Sequence, residues 1–365
     1  MSWYESLAAI EELDDAAFDR SLVNEMERRA AALSGRSVRF STPTFKDYAS
    51  NELKGCSKNS FPAFSITAGA CGLNCDHCQA KILEPMIPAT SPEMLDAKVR
   101  HMVVTQDLGG FLLSGGSNRR NEIRYERFYP VIERLKRDFP HLRVAIHTAL
   151  TTPAGARSME AAGVDTAMMD VIGSDETIRQ VYKLDRPVAD FEATLEALCA
   201  TTMQVTPHIV VGLHYGRILG EQTALEIIGR HRVSSLVLVV VMPFYAAPGM
   251  FRVPDTDDVG RIFMQARTLL PDRQVLLGCA RPAGMHKRVT DAYAVMAGLD
   301  GIAFPADGAV KVARAIGRPF EQQHACCSIK LGDRDARPAA ATTSACASRR
   351  ATPELAEAAL AGETP

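Results

Sequence analysis

Three cysteines within eight residues, Cys71-x3-Cys75-x2-Cys78 in the segment GACGLNCDHCQAK, are the residues of this chain best placed to do chemistry. A short loop with that spacing lets three thiolates converge on one face of a cubane iron–sulfur cluster, whose fourth iron is then left without a protein ligand. Two plainer readings compete. Structural zinc asks for four ligands, commonly two separated knuckles, and His77 is poorly placed to turn toward a metal already held by Cys75 and Cys78. A redox CxxC would need only Cys75 and Cys78. Of the remaining six cysteines, Cys56, Cys279, Cys326 and Cys327 recur at positions from which they could return to the same place, whereas Cys199 sits on an apolar helix face and Cys346 in an Ala-rich tail.

The 365 residues are 47% hydrophobic and 23% charged with net charge −2, enough apolar material for a sizeable core and too little positive charge for a general polyanion binder. No apolar run approaches the roughly 20 residues of a membrane helix. The start MSWYESLAAIEELDD is acidic and lacks a basic segment followed by an apolar one, so no secretory signal is visible and the chain is expected in the cytoplasm. In a reducing compartment clustered cysteines bind metal or react more often than they pair.

The elements that must position the cysteines can be read from periodicity. Residues 5–34 carry apolar residues at helical steps, with Gly35 as a stop, and residues 37–63 read as an irregular approach. From Phe64 onward, eight short apolar runs alternate with helical segments: Phe64–Thr67, Gly110–Leu113, Leu142–Ile146, Thr166–Asp170, Val205–Val211, Leu236–Val241, Val275–Leu277 and Gly301–Phe304. The helical segments between them include Phe128–Phe139, Asp190–Ala200 and Asp257–Leu270. Such alternation predicts an α/β fold with a parallel sheet, and eight strands predict a (β/α)8-type barrel, with a partial six-strand barrel as the alternative. The expected organisation is an N-terminal helical extension (1–63), a barrel domain (64–328) and a disordered Ala-rich tail (329–365). The cysteine loop falls directly after the first barrel strand, at the strand ends where barrel active sites lie.

With that loop in that place, the chain resembles the radical S-adenosylmethionine (SAM) superfamily. The resemblance implies that the open iron of a [4Fe-4S] cluster chelates SAM, which one electron cleaves to methionine and a 5′-deoxyadenosyl radical. It also implies an electron donor such as ferredoxin or flavodoxin. The turn Ser114-Gly115-Gly116-Ser117 after the second strand resembles the superfamily's SAM-binding Gly-Gly turn, with Ser117 where a Glu is common; an ordinary turn is the alternative. In the biotin-synthase-like branch the resemblance places His147 and Asp170, at the ends of strands three and four, beside the cofactor. A carboxylate suits a ribose diol because it accepts two hydrogen bonds, and a helix-capping Asp is the plainer reading. Arg186 in YKLDR resembles the arginine that pairs with the SAM carboxylate, against an exposed helix-start charge. In HIVVGLHYGRILGE, His214 and Tyr215 are expected to line the pocket and His208 to sit in the core.

LLGCARPAG places Cys279 and Arg281 at the barrel mouth, Arg281 as a ligand- or substrate-side cation. Cys279, Cys326, Cys327 and Cys56 are suitable ligands for a second iron–sulfur cluster, against buried thiols acting as small hydrophobes. Between Phe61 and Cys327 the phrasing resembles the split, two-subunit lipoyl synthases. That resemblance implies sulfur insertion into an octanoyl chain borne by a lipoyl domain or carrier protein, together with a second radical SAM subunit. The CxxxxCxxxxxC of the common lipoyl synthase is absent. Another biotin-synthase-like enzyme (a cofactor maturase or carbon-skeleton mutase) and a non-catalytic cluster scaffold are the alternatives.

Overall fold

The structure, a computed structural model, describes residues 2–33, 35–42, 48, 50–53, 61–106 and 108–323. Cys56, Cys326, Cys327 and the predicted tail lie outside the described residues. Two short helices, α1 (Trp3–Leu7) and α2 (Arg20–Arg28), precede eleven strands: β1 (Val38–Ser41), β2 (Ala63–Ser65), β3 (Ile87–Pro88), β4 (Gly110–Ser114), β5 (Arg143–His147), β6 (Thr166–Asp170), β7 (Gln204–Val211), β8 (Ser235–Val240), β9 (Gln274–Leu277), β10 (Gly301–Ala303) and β11 (Phe320–Gln323). Helices α3 (Pro92–Thr105), α4 (Tyr129–Asp138) and α5 (Pro153–Ala161) follow β3, β4 and β5; α6 (Asp175–Val181) and α7 (Val188–Cys199) follow β6; α8 (Glu221–Gly229), α9 (Thr256–Leu269), α10 (Met285–Met296) and α11 (Ala309–Ala315) follow β7 to β10.

All strand pairs are parallel, in the order β11-β1-β10-β9-β8-β7-β6-β5-β4-β2-β3, so every strand carries its C-terminal end to one rim. The eight strands read from the sequence are all strands. The sheet is curled but open, because β1 occupies the edge of β10 that β2 would need for closure. Residues 38–41 therefore belong to the sheet rather than to an extension outside it. The helix expected over 5–34 is broken into α1 and α2: Asp19 accepts from the Ser21 and Leu22 amides and starts α2 afresh. Leu22, Val23 and Met26 are buried within the common core, each such side chain contributing about 1.5–3 kcal/mol relative to exposure. Among the described residues no helix is long and apolar enough to cross a membrane.

Candidate active site

The loop from Ile66 to Met86 leaves β2 at the rim and turns back on itself through Ala68, Gln79 and Ala80, all at positive φ. Cys75 is buried, and Cys71 and Cys78 are half-buried. The Cys71 thiol lies 3.7 Å from the Ser117 carbonyl, and the Gly72 amide donates to that same oxygen at 2.6 Å. The Cys75 thiol lies 4.0 Å from the Tyr182 carbonyl. Burial pushes the Cys75 thiol well up, and nearby Cys78 and Cys71 add to the shift; burial likewise raises Cys78. Thiolates made so costly by burial call for a cation to offset them.

Among the described residues no group of three His, Cys, Asp or Glu closes on a single metal ion. A cubane takes three thiolates on three separate irons, and the loop carries three thiols at the rim. The donor set fits a [4Fe-4S] cluster.

The glycine pair has a steric reason. A Cβ on Gly116 would run into the Ala70 carbonyl and the Cys71 Cα, and one on Gly115 would come 2.8 Å from Ile66 Cγ1. The Gly116 amide donates to Thr67 Oγ1 at 2.7 Å. Gly115, Gly116 and Ser117 thus form the shelf on which the cysteine loop rests, with the Ser117 backbone carbonyl as its contact.

Beside the loop, β5, β6 and β7 bring His147, Asp170 and His208 together. Asp170 and His208 are partners in register. His147 Nε2 is 3.8 Å from Asp170 Oδ1, and the Tyr182 hydroxyl donates to Asp170 Oδ2 at 3.4 Å. The His147 and His208 rings meet edge to face at 5.4 Å. Burial, reinforced by His147, pushes His208 down to about 4, and its Nδ1 donates to the Thr206 carbonyl at 3.1 Å. Burial also pushes His77 down to about 4; its ring lies 5.1 Å from that of Tyr182, and its buried Nδ1 has no hydrogen-bond partner among the described residues. Asp170 is close enough to bias the ionisation of Cys75, Cys78, His77 and His208, so it stands at the centre of the site. The sequence reading expected His208 in the core, and gave Tyr182 no role. His208 is the register partner of Asp170 inside β7, and Tyr182 caps α6, the helix that follows Asp170.

Other expected residues stand elsewhere. Arg281 is not a cation facing the mouth: it is buried, pairs with Asp291, and donates to the Gly278 and Phe304 carbonyls at 2.6 and 3.0 Å. His214 does not line a pocket either; it is fully buried, with Nδ1 3.1 Å from Thr177 Oγ1. Tyr215 turns instead to the cysteine loop, donating to Asp76 at 2.9 Å. Arg186 pairs with Asp190 one turn along at 3.3 Å. Cys279 does reach the rim, packed with Tyr48 against Ala303 and Phe304. Tyr245 lies near both Cys279 and Cys78, and its carbonyl accepts from the Lys81 ammonium at 3.2 Å. Cys199, at the end of α7, is a half-buried thiol pushed up to about 11 by burial.

An open parallel α/β half-barrel with a three-thiol loop at the C-terminal end of its strands defines the class of protein. Residues 65–217 match the model of the Radical SAM superfamily, so this stretch carries a radical SAM domain, of a family that uses a [4Fe-4S] cluster and SAM. The structure is similar to that of HydG, a maturase of the [FeFe]-hydrogenase (TM-score 0.55, 14% identity, covering 87% of this chain and 74% of that one). It is also similar to methylornithine synthase, PylB (0.51, 10%, 83% and 85%), and to HydG from Carboxydothermus hydrogenoformans (0.51, 16%, 83% and 67%). At such identities the likeness speaks for the fold. No curated protein matches the chain.

Proposed function

We propose that this radical SAM enzyme inserts sulfur at an unactivated C–H bond of a protein-bound octanoyl chain, as one subunit of a lipoyl-forming pair. The observation that carries the reading is Cys279: it stands at the same rim as the cysteine loop, with Tyr245 beside both it and Cys78. Cys71, Cys75 and Cys78 would hold the SAM cluster. Cys279 would contribute to a second cluster as sulfur source, with Cys56, Cys326 and Cys327 as the further candidate thiols. When bound, cluster and SAM supply a one-electron cleavage that yields a radical able to take hydrogen from an alkyl carbon.

The chain's own residues do the placing. Asp170, oriented by Tyr182, presents a carboxylate suited to the ribose diol of SAM. His208, held neutral by burial, adds no positive charge beside Asp170. Half-buried Met242 and buried Phe304 supply apolar wall for an alkyl chain. Holding donor and radical carbon together is an orientation effect, in which a misplacement of about 1 Å can cost about a hundredfold in rate. The partners of this reading are an octanoylated lipoyl domain or carrier protein, a second radical SAM subunit, and a ferredoxin or flavodoxin as electron donor.

The test incubates reconstituted protein with an octanoylated lipoyl domain, SAM and a strong reductant, with and without a candidate partner subunit. Mass spectrometry is expected to show sulfur added with loss of hydrogen. Abundant 5′-deoxyadenosine without a thiolated octanoyl product in either condition overturns the lipoyl reading in favour of another radical reaction, such as a maturase or mutase reaction. Cluster binding without any 5′-deoxyadenosine would make the protein a scaffold.

A further inference from the structure

Between the second and third cysteines of the loop stands Asp76, and two residues remote in sequence converge on its Oδ2. The Lys183 ammonium, from the connection between α6 and α7, is 2.7 Å away. The Tyr215 hydroxyl, from the exit of β7, donates to it at 2.9 Å, with the Gln180 carbonyl 3.1 Å from the Tyr215 hydroxyl oxygen. The backbone adds a third tie, the Asp76 amide donating to the Val181 carbonyl at 2.9 Å.

Both clamping residues sit in a backbone region that residues with side chains avoid, Lys183 at φ 54° and Tyr215 at φ 55°. Of the seven non-glycine residues at positive φ among the described residues, these two and Ala68, Gln79 and Ala80 all belong to the cysteine loop or to its clamp. Backbone strain collected in one place persists only where the surroundings over-determine it, and it clusters at functional sites. The Tyr182–Lys183 pair is also where the site's two halves meet. The Tyr182 carbonyl faces the Cys75 thiol, its hydroxyl reaches Asp170, and the next side chain grips Asp76.

We propose that Asp76 is a positioning residue for the three-cysteine loop, clamped by Lys183 and Tyr215, and that this clamp sets how firmly the loop retains its iron–sulfur cluster. The proposal rests on the reading that Cys71, Cys75 and Cys78 hold that cluster. Asp76 itself touches no reacting group; it acts through Cys75 and Cys78 on either side of it. Its carboxylate is mostly buried while Lys183 is half exposed, so removing the carboxylate charge loosens the loop's hold on the cluster more than removing the ammonium.

The experiment compares full-length wild type with Asp76→Asn, Lys183→Met, Lys183→Arg and Tyr215→Phe after anaerobic reconstitution. It reads iron release to a ferrous chelator, the electron paramagnetic resonance of the reduced cluster with and without SAM, and thermal melting of the apo protein. Iron release is expected to quicken about tenfold in Asp76→Asn, as for loss of a charge-assisted bond, and about threefold in Lys183→Met. Lys183→Arg is expected to restore it, and apo melting to stay unchanged throughout. Arg230→Met, which removes the exposed pair with Glu192, serves as control and is expected to release iron at the wild-type rate. Should one variant fail to fold, Tyr215→Phe keeps the fold's charges and removes only one bond to Asp76. Release and spectra equal to wild type in both Asp76→Asn and Lys183→Met overturn the clamp alone. A wild type that takes up no iron overturns the cluster reading and the clamp together.

Discussion

Arg281 and Asp291 form an ion pair in which neither side chain touches solvent, Nε to Oδ1 at 2.6 Å and Nη2 to Oδ2 at 3.0 Å. Around it, Asp291 Oδ2 also accepts from the Ala306 amide at 2.6 Å, and Lys287 reaches the Phe304 carbonyl. The network ties the exit of β9 to the exit of β10, and so fixes the peptide that carries Cys279. Replacing Arg281 by Met leaves the buried Asp291 with only Lys287, 3.5 Å away, as a cationic partner, and is expected to destabilise the fold by about 3 kcal/mol. Denaturant titration of apo wild type and variant checks this. A loss as small as an exposed pair gives, about 0–1 kcal/mol, would mean that the network opens to solvent.

Gly116 supplies a second, sterically defined prediction. A methyl group there has to displace the Ala70–Cys71 backbone, so Gly116→Ala is expected to cost about 1–3 kcal/mol. It is also expected to lower the iron bound per chain. Gly229→Ala, where a Cβ meets nothing within 4 Å, is the control and is expected to leave both quantities as they are. Iron content undiminished in Gly116→Ala would separate the Gly-Gly turn from the cysteine loop.

How much of this was legible beforehand divides along the range of the interactions. The cysteine spacing is local, and the β-branched runs of β4 to β10 are local, so the loop, its strand and the alternation could all be read. Strand β1 could not. Its four residues, VRFS, are no more apolar than their neighbours and become a strand only by pairing with β10, some 260 residues on. Arg281 failed for the same reason: the sequence places it at a strand end, but its partner Asp291 comes from the second turn of α10. The helix over 5–34 failed locally, since apolar periodicity continues across Asp14 and Asp15 while the cap at Asp19 restarts the chain.

His208 makes stability depend on pH. Its folded pKa is about 4 against an ordinary value of 6.5, because burial disfavours the charged ring. Above pH 6.5 both folded and unfolded states hold it neutral, and its contribution is complete. As pH falls from 6.5 toward 4 the unfolded state takes up the proton and the folded state does not, so that stability is lost across this window. Carboxylates also titrate at its acid end, so the measurement is a difference. Apo wild type is expected to lose more melting temperature between pH 7 and pH 4.5 than His208→Gln does. Parallel pH profiles in the two would show that His208 is reached by water and protonates freely when folded.

The last prediction concerns the second cluster. Cys279 is the one rim thiol among the described residues that lies apart from the loop and beside Tyr245, and a sulfur donor is useful only within bonding reach of the carbon radical. Replacing Cys279, Cys326 and Cys327 together by Ala is expected to remove roughly half of the iron bound after anaerobic reconstitution, from about eight per chain to about four, as one of two [4Fe-4S] clusters is lost. SAM cleavage to 5′-deoxyadenosine is expected to persist in this variant, because Cys71, Cys75 and Cys78 are untouched, while sulfur transfer to an octanoyl chain is expected to vanish. The loop variant with Cys71, Cys75 and Cys78 all replaced by Ala is expected to behave in the opposite sense, retaining about four irons and releasing no 5′-deoxyadenosine. Iron and sulfide analysis alongside chromatography of the nucleoside distinguishes the two. An unchanged iron content in the rim variant would return Cys279 to the role of a small half-buried hydrophobe packed against Phe304, and would remove the sulfur source on which the lipoyl reading depends.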